Sequence, residues 1–177
     1  MLKEQRYRYL VQLYKNKIYS YSRYMLKNKM DADDVTQEVL IRIWNNIDSF
    51  NLFAAKSWIM KTTNNLCIDY LRRRTIQLKR ETEIDDFFEE TIASKKSKDN
   101  PFDIAHSSMM YEKVKCAIEK LPEDLRRIFV LYEINGLKYK EISKALDLPL
   151  NTVKVYLLRA RKHLQTKLKN YKTDEVL

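Results

Sequence analysis

One glycine and three prolines in 177 residues leave too few turn-formers for hairpins or glycine-rich phosphate loops, and a composition 33 % charged and 45 % hydrophobic suits an all-α protein. The formal charge of +10 is unevenly spread: residues 1–74 carry +7, residues 75–107 carry −3 and residues 108–177 carry +6, so two basic blocks that could grip a polyanion flank an acidic one. No apolar run reaches membrane-spanning length and the first residues lack the apolar core of a secretory signal, so neither membrane insertion nor export is expected.

Residues 2–29 read as helix, with Tyr7, Leu10, Val11, Tyr14, Ile18, Tyr21 and Met25 on one face. Asp31 is a plausible N-cap for a second helix, and Asp33 and Asp34 favour the positive end of its dipole. There Val35, Val39, Leu40, Ile43, Trp44 and Ile47 form a wide apolar face, while Asp34, Gln37, Glu38, Ile41 and Asn45 lie on another. An acidic and amide ridge cannot be a DNA surface; it is either solvated helix or a docking face for a basic protein.

Residues 48–56, with Phe50, Asn51 and Phe53, read as a loop. Helical period returns from Ser57 to Arg74, where Ile59, Thr63, Leu66 and Tyr70 point one way and Trp58, Lys61, Asn65 and Arg72 another, ending in Arg72-Arg73-Arg74. An indole, a cation and amides beside an aromatic loop suit stacking and hydrogen bonding to single-stranded bases. Residues 75–107 lose periodicity, and six acids fall between Glu81 and Glu90. This stretch reads as a flexible acidic linker.

Helix resumes near Ser108 through Val114, Ile118 and Leu121, and Pro122 suits the first turn of the next one. Leu125, Ile128, Phe129, Leu131 and Tyr132 are its apolar positions, with Gly136 as a natural C-cap. Tyr139, Ile142 and Leu146 then repeat at helical spacing until residues 147–150 break the pattern, and Asn151 is a good N-cap for a last helix. There Val153, Leu157, Ala160, Leu164 and Leu168 make one apolar stripe, and Lys154, Tyr156, Arg159, Arg161 and Lys162 occupy the other faces. Two short helices with a tight turn and a basic second helix read as a helix-turn-helix, or else as a basic surface helix of an all-α core. Residues 171–177 form a short tail. Cys67 and Cys116 have neither metal nor redox spacing, so they read as reduced thiols of a cytoplasmic protein without cofactor or metal. No nucleophile–base pairing suggests an enzyme.

Four segments in this order, Asp31 to Trp44, Ser57 to Arg74, Leu121 to Pro149 and Asn151 to Leu164, resemble the extracytoplasmic-function sigma factors of bacterial RNA polymerase. The resemblance implies two small helical domains, 1–74 and 108–170, joined by linker 75–107. It implies that Asp34, Gln37, Glu38, Ile41 and Asn45 dock on the clamp helices of the polymerase's largest subunit. Phe50, Asn51, Phe53, Trp58, Lys61, Asn64, Asn65, Arg72 and Arg73 would open the minus-ten promoter element and hold its single strand. Tyr139, Asn151, Thr152, Lys154, Tyr156, Arg159, Arg161 and Lys162 would read the minus-thirty-five element as duplex. An anti-sigma factor is a further implied partner. Three positions depart from the family's habit: Asp147 and Asn151 stand where glycine is frequent, and Lys61 where arginine is usual. The rivals are a stand-alone helix-turn-helix regulator and a helical scaffold with no nucleic-acid role.

Overall fold

The computed structural model describes residues 2–49, 52–84 and 105–173, and all regular structure among them is helical. Helix α1 (Lys3–Leu26) ends where Lys27 turns left-handed at φ 58°, its N–H donating to the Arg23 carbonyl at 3.0 Å. Helix α2 (Lys29–Asn46) is capped by Asn28, not by Asp31. The Asn28 side-chain oxygen accepts from the Asp31 N–H at 3.2 Å, because the reversal at Lys27 leaves Asn28 extended and in reach of that donor. Asp31 falls instead in the first turn, where it pairs with Arg74.

Helix α3 (Leu52–Ile84) is longer at both ends than the sequence suggests. Residues 52–56, read as loop, are helical because Ala55 is fully buried and anchors the first turn. Phe50 and Asn51 lie outside the described residues. Residues 75–84, read as linker, continue the helix. Residues 72–79 are exposed all round, so no apolar stripe marks them, and helix-favouring Arg, Gln, Leu and Lys carry the winding. The rest of the acidic stretch, 85–104, lies outside the described residues.

Helix α4 (Ala105–Glu119) starts three residues before Ser108, and α5 (Glu123–Phe129) follows, with Pro122 at its N-cap. The chain then widens into a π-helical turn over Val130–Ile134, in which the Asn135 N–H reaches the Val130 carbonyl at 2.9 Å. Gly136 closes it at φ 68°, as a C-cap glycine should. Helix α6 (Tyr139–Leu146) and helix α7 (Leu150–Thr173) complete the chain.

Buried side chains of both halves form one apolar core: Leu10, Ile18, Tyr21 and Met25 from α1, Val35, Val39 and Ile43 from α2, Ile59 and Met60 from α3, and Ile118, Ile128, Leu131, Ile142, Val153 and Leu157 from the C-terminal helices. Trp44, expected in the apolar face, is 38 % exposed; Tyr7 packs edge-on to its ring and the Lys3 ammonium sits 4.9 Å from its centroid. Arg126 is only 6 % exposed, and its guanidinium donates to the carbonyls of Glu119 and Leu121 at 2.6 and 3.5 Å, satisfying the negative end of α4. Burial lowers its pKa against the pull of Glu123 and Glu119. The halves are also tied by polar groups. Asn135, 2 % exposed, donates to the Lys17 carbonyl at 2.9 Å and the Ser20 hydroxyl at 3.1 Å.

Candidate nucleic-acid interface

The pair α6–α7 has the geometry of a helix-turn-helix. Asp147 makes the turn in the left-handed region at φ 53°, its N–H bonding back to Ser143, whose hydroxyl donates to the Leu148 carbonyl at 2.6 Å. A short polar side chain tolerates that backbone, so glycine is not required. Helix α7 begins at Leu150 and not at the expected cap Asn151: the Val153 N–H bonds to the Pro149 carbonyl at 3.2 Å, drawing Asn151 into the first turn. Val153, Leu157, Ala160 and Leu164 are buried, as the spacing predicts, which turns Asn151, Lys154, Arg159 and Lys162 outward. Thr152 and Tyr156 are half-buried beside them, and the Arg159 guanidinium lies 5.9 Å from the Tyr156 ring centre.

Two residues expected on this surface are otherwise engaged. Arg161 bonds Glu133 through Nε at 2.9 Å and Nη2 at 2.7 Å, and covers the Tyr132 ring. Tyr139 stacks on that same ring, with centroids 5.0 Å apart. Both therefore brace α6 and α7 against the π-helical turn. Sequence reasoning missed Val155 and Leu158, 44 % and 67 % exposed on the outer face of α7, because apolar residues outside the core period give no signal of their own.

On α3 the expected amide row divides. Asn64 is 5 % exposed, and its side-chain oxygen accepts from the buried Tyr21 hydroxyl at 2.8 Å. Only Asn65 of the pair reaches solvent; Trp58 is half-buried against the core, and nothing is described of the Phe53 side chain. Lys61 Nζ sits 2.5 Å from the Asp147 carboxylate, so the cation expected on a DNA strand meets the helix-turn-helix turn. One helical turn earlier, Lys56 pairs with Glu141 at 2.8 Å. Burial raises the Glu141 pKa, but the bonds from Lys56 and the Lys138 N–H outweigh it and hold the carboxyl below its ordinary value. Arg72 is exposed and 3.3 Å from Asp69.

The acidic ridge of α2 stays on the surface. Asp34, Gln37 and Asn45 are exposed, Ile41 is 54 % exposed, and Glu38 accepts from Arg42 at 2.7 Å. With Leu66, Tyr70 and Arg73 of α3, the first four positions of the ridge line an open depression of about 330 Å³. Arg73 thus stands beside the ridge and apart from Lys61. Burial, with the charge of Asp34 behind it, pushes the Tyr70 phenol up. Cys67 is buried and Cys116 half-buried, both as free thiols, and no group of three or more metal-ligating side chains occurs among the described residues.

Comparison with known proteins bears on these surfaces. The sequence profile of Sigma-70 region 2 matches residues 10–76, and that of Sigma-70, region 4, matches residues 111–164. The ECF RNA polymerase sigma factor SigW of Bacillus subtilis is 33 % identical over 164 residues, 91 % of this chain and 88 % of the relative. The chain belongs to the ECF RNA polymerase sigma factors. The sigma-E factor of Escherichia coli is also 33 % identical, over 90 % of this chain and 84 % of its own length. SigE of Mycolicibacterium smegmatis is 28 % identical over 93 % of this chain, which spans 62 % of that longer protein. Two solved structures share the fold. The sigma factor RpoE of Bartonella quintana, in complex with the anti-sigma factor NepR, gives a TM-score of 0.68 at 24 % identity, covering 95 % of this chain and 98 % of its own. CnrH, in complex with the cytosolic domain of CnrY, gives 0.64 at 20 % identity, covering 93 % and 88 %. This sigma factor acts in promoter-specific transcription initiation, with RNA polymerase and promoter DNA as its partners. Among its described residues, no helix is long and apolar enough to cross a membrane.

Proposed function

We propose a division of labour between the two ends of the chain. Residues 1–74 dock on polymerase through Asp34, Gln37, Glu38, Ile41 and Asn45 and hold the opened minus-ten strand with the outer face of α3. Residues 108–170 read the minus-thirty-five element as duplex, α7 lying in the major groove, while 75–107 join the two; α7 runs on to Thr173, into the stretch read as tail. The observation that supports this most is the outer face of α7, where Lys154, Arg159 and Lys162 surround base-reading positions on a helix whose other side is fixed in the core. Phosphate contacts supply most of the affinity and base contacts the choice of sequence. The chain contributes binding energy and no chemistry of its own, works in the cytoplasm, and is held between uses by an anti-sigma factor, as the structural relative RpoE is seen bound by NepR.

Run-off transcription with purified core polymerase on a promoter library tests the reading. Initiation at a defined subset of promoters, lost on Arg159→Ala, is the expected result. Specific, salt-sensitive operator binding that is indifferent to polymerase would replace it with a stand-alone regulator.

A further inference from the structure

We propose that Asp147 is an internal stand-in for promoter phosphate: in the free protein its carboxylate occupies Lys61, so the helix-turn-helix turn covers that part of the strand-binding face of α3 until the chain opens. The inference rests on the reading of Lys61 as a strand contact. It starts from the 2.5 Å ion pair between Lys61 on α3 and Asp147 at the turn before α7. Both side chains are well exposed, at 42 % and 69 %, so the core does not require the pair. Nor does the turn require a charge, since what it needs is a residue that accepts the left-handed backbone. The carboxylate is therefore surplus to folding, and what it does is neutralise a cation.

Promoter geometry makes the arrangement exclusive. Elements centred 10 and 35 base pairs upstream lie roughly 85 Å apart at 3.4 Å per base pair. In the free chain α3 and the helix-turn-helix, to which those elements are assigned, touch through Lys61 and Asp147. Lys56–Glu141 and the two bonds from Asn135 hold the same closed form. The protein cannot keep these contacts and span both elements, so a population in the closed form is withheld from DNA and the apparent dissociation constant rises as the open fraction falls. An exposed pair shifts such an equilibrium by a factor of roughly 1.5 to 5. Asp147 thus tunes access and does not lock it.

The test is a double-mutant cycle on the full-length protein, binding a fluorescein-labelled single strand taken from a promoter active in run-off transcription. Asp147→Asn keeps the left-handed turn and removes the charge. It is expected to tighten strand binding about 1.5- to 5-fold, whereas Lys61→Gln weakens it, and Asp147→Asn adds nothing in the Lys61→Gln background. Asp147→Asn with Glu141→Gln should also enlarge the radius of gyration measured by solution scattering. No gain from Asp147→Asn would mean that the carboxylate does not bear on strand binding, and an equal gain in both backgrounds that it merely repels DNA at large; with either result the proposal falls while the functional reading stands. Unchanged binding by Lys61→Gln itself would instead remove Lys61 from the strand site, and the stand-in with it.

Discussion

Tyr21→Phe deletes one oxygen atom from the middle of the core and leaves the ring in place. That hydroxyl is fully buried and donates to Asn64 Oδ1 at 2.8 Å, across 43 residues of sequence. Its pKa is pushed well above the ordinary value, chiefly by burial, so it remains a donor at any working pH. Losing the donor strands an amide oxygen away from water, which costs about 1–3 kcal/mol. Asn64→Ala breaks the same bond from the other side and leaves the phenol stranded. The two losses should therefore be sub-additive, with a coupling of about 1 kcal/mol in urea unfolding of the single and double variants. The single-stranded DNA affinity of the folded variants should stay within twofold of the parent, because Asn64 serves the α1–α3 packing. A Tyr21→Phe cost below about 0.5 kcal/mol, together with a large loss of strand binding in Asn64→Ala, would refute the reasoning and return Asn64 to the DNA surface.

Four further outcomes are expected. Burial pushes the Cys67 thiol up to about 12 against an ordinary value of 9.0. The raised folded value means that its contribution is complete below pH 9 and is lost as pH rises toward 12, by at most about 4 kcal/mol; urea midpoints against pH should fall more gently over that range in Cys67→Ala. Gly136 has φ 68° with open space where a Cβ would stand, so Gly136→Ala should cost only the left-handed backbone penalty of about 1–2 kcal/mol in thermal unfolding. Arg159→Ala should lose about 1–3 kcal/mol of promoter discrimination if it reads a base, or flatten the salt dependence if it touches phosphate. Arg161→Ala, removing the Glu133 pair, should cost stability of up to about 1 kcal/mol and leave promoter choice unchanged in competition binding.

The α7 stripe shows what was legible from sequence. Val153, Leu157, Ala160 and Leu164 announce a buried face by spacing alone, and once that face is set the outward placement of Lys154, Arg159 and Lys162 follows. The acidic ridge of α2 was legible for the same reason. Periodicity fails where burial is decided by a distant partner. Asn64 sits at a position that could face either way, and only Tyr21 determines that it turns inward. The engagement of Arg161 and Tyr139 was hidden similarly, since nothing local reveals that Glu133 and Tyr132 stand across from them. The extension of α3 past Arg74 was invisible because a helix exposed on every side has no apolar period. The contact between the halves lies further still from local pattern, as it depends on pairs such as Lys56 and Glu141, 85 residues apart.

The π-helical turn at Val130–Ile134 holds one residue more than an α-helix would need there. Each residue advances an α-helix by about 100°. Wound as an ordinary α-helix with the same number of residues, the segment would carry the Asn135 amide about that far further around the axis, off the Lys17 carbonyl. Because the acceptor is main chain, no replacement at position 17 could restore the bond. The coupling of the two halves is thus written partly in how the chain winds through that curve, and a further residue inserted there should be tolerated far less well than any exchange of its exposed side chains.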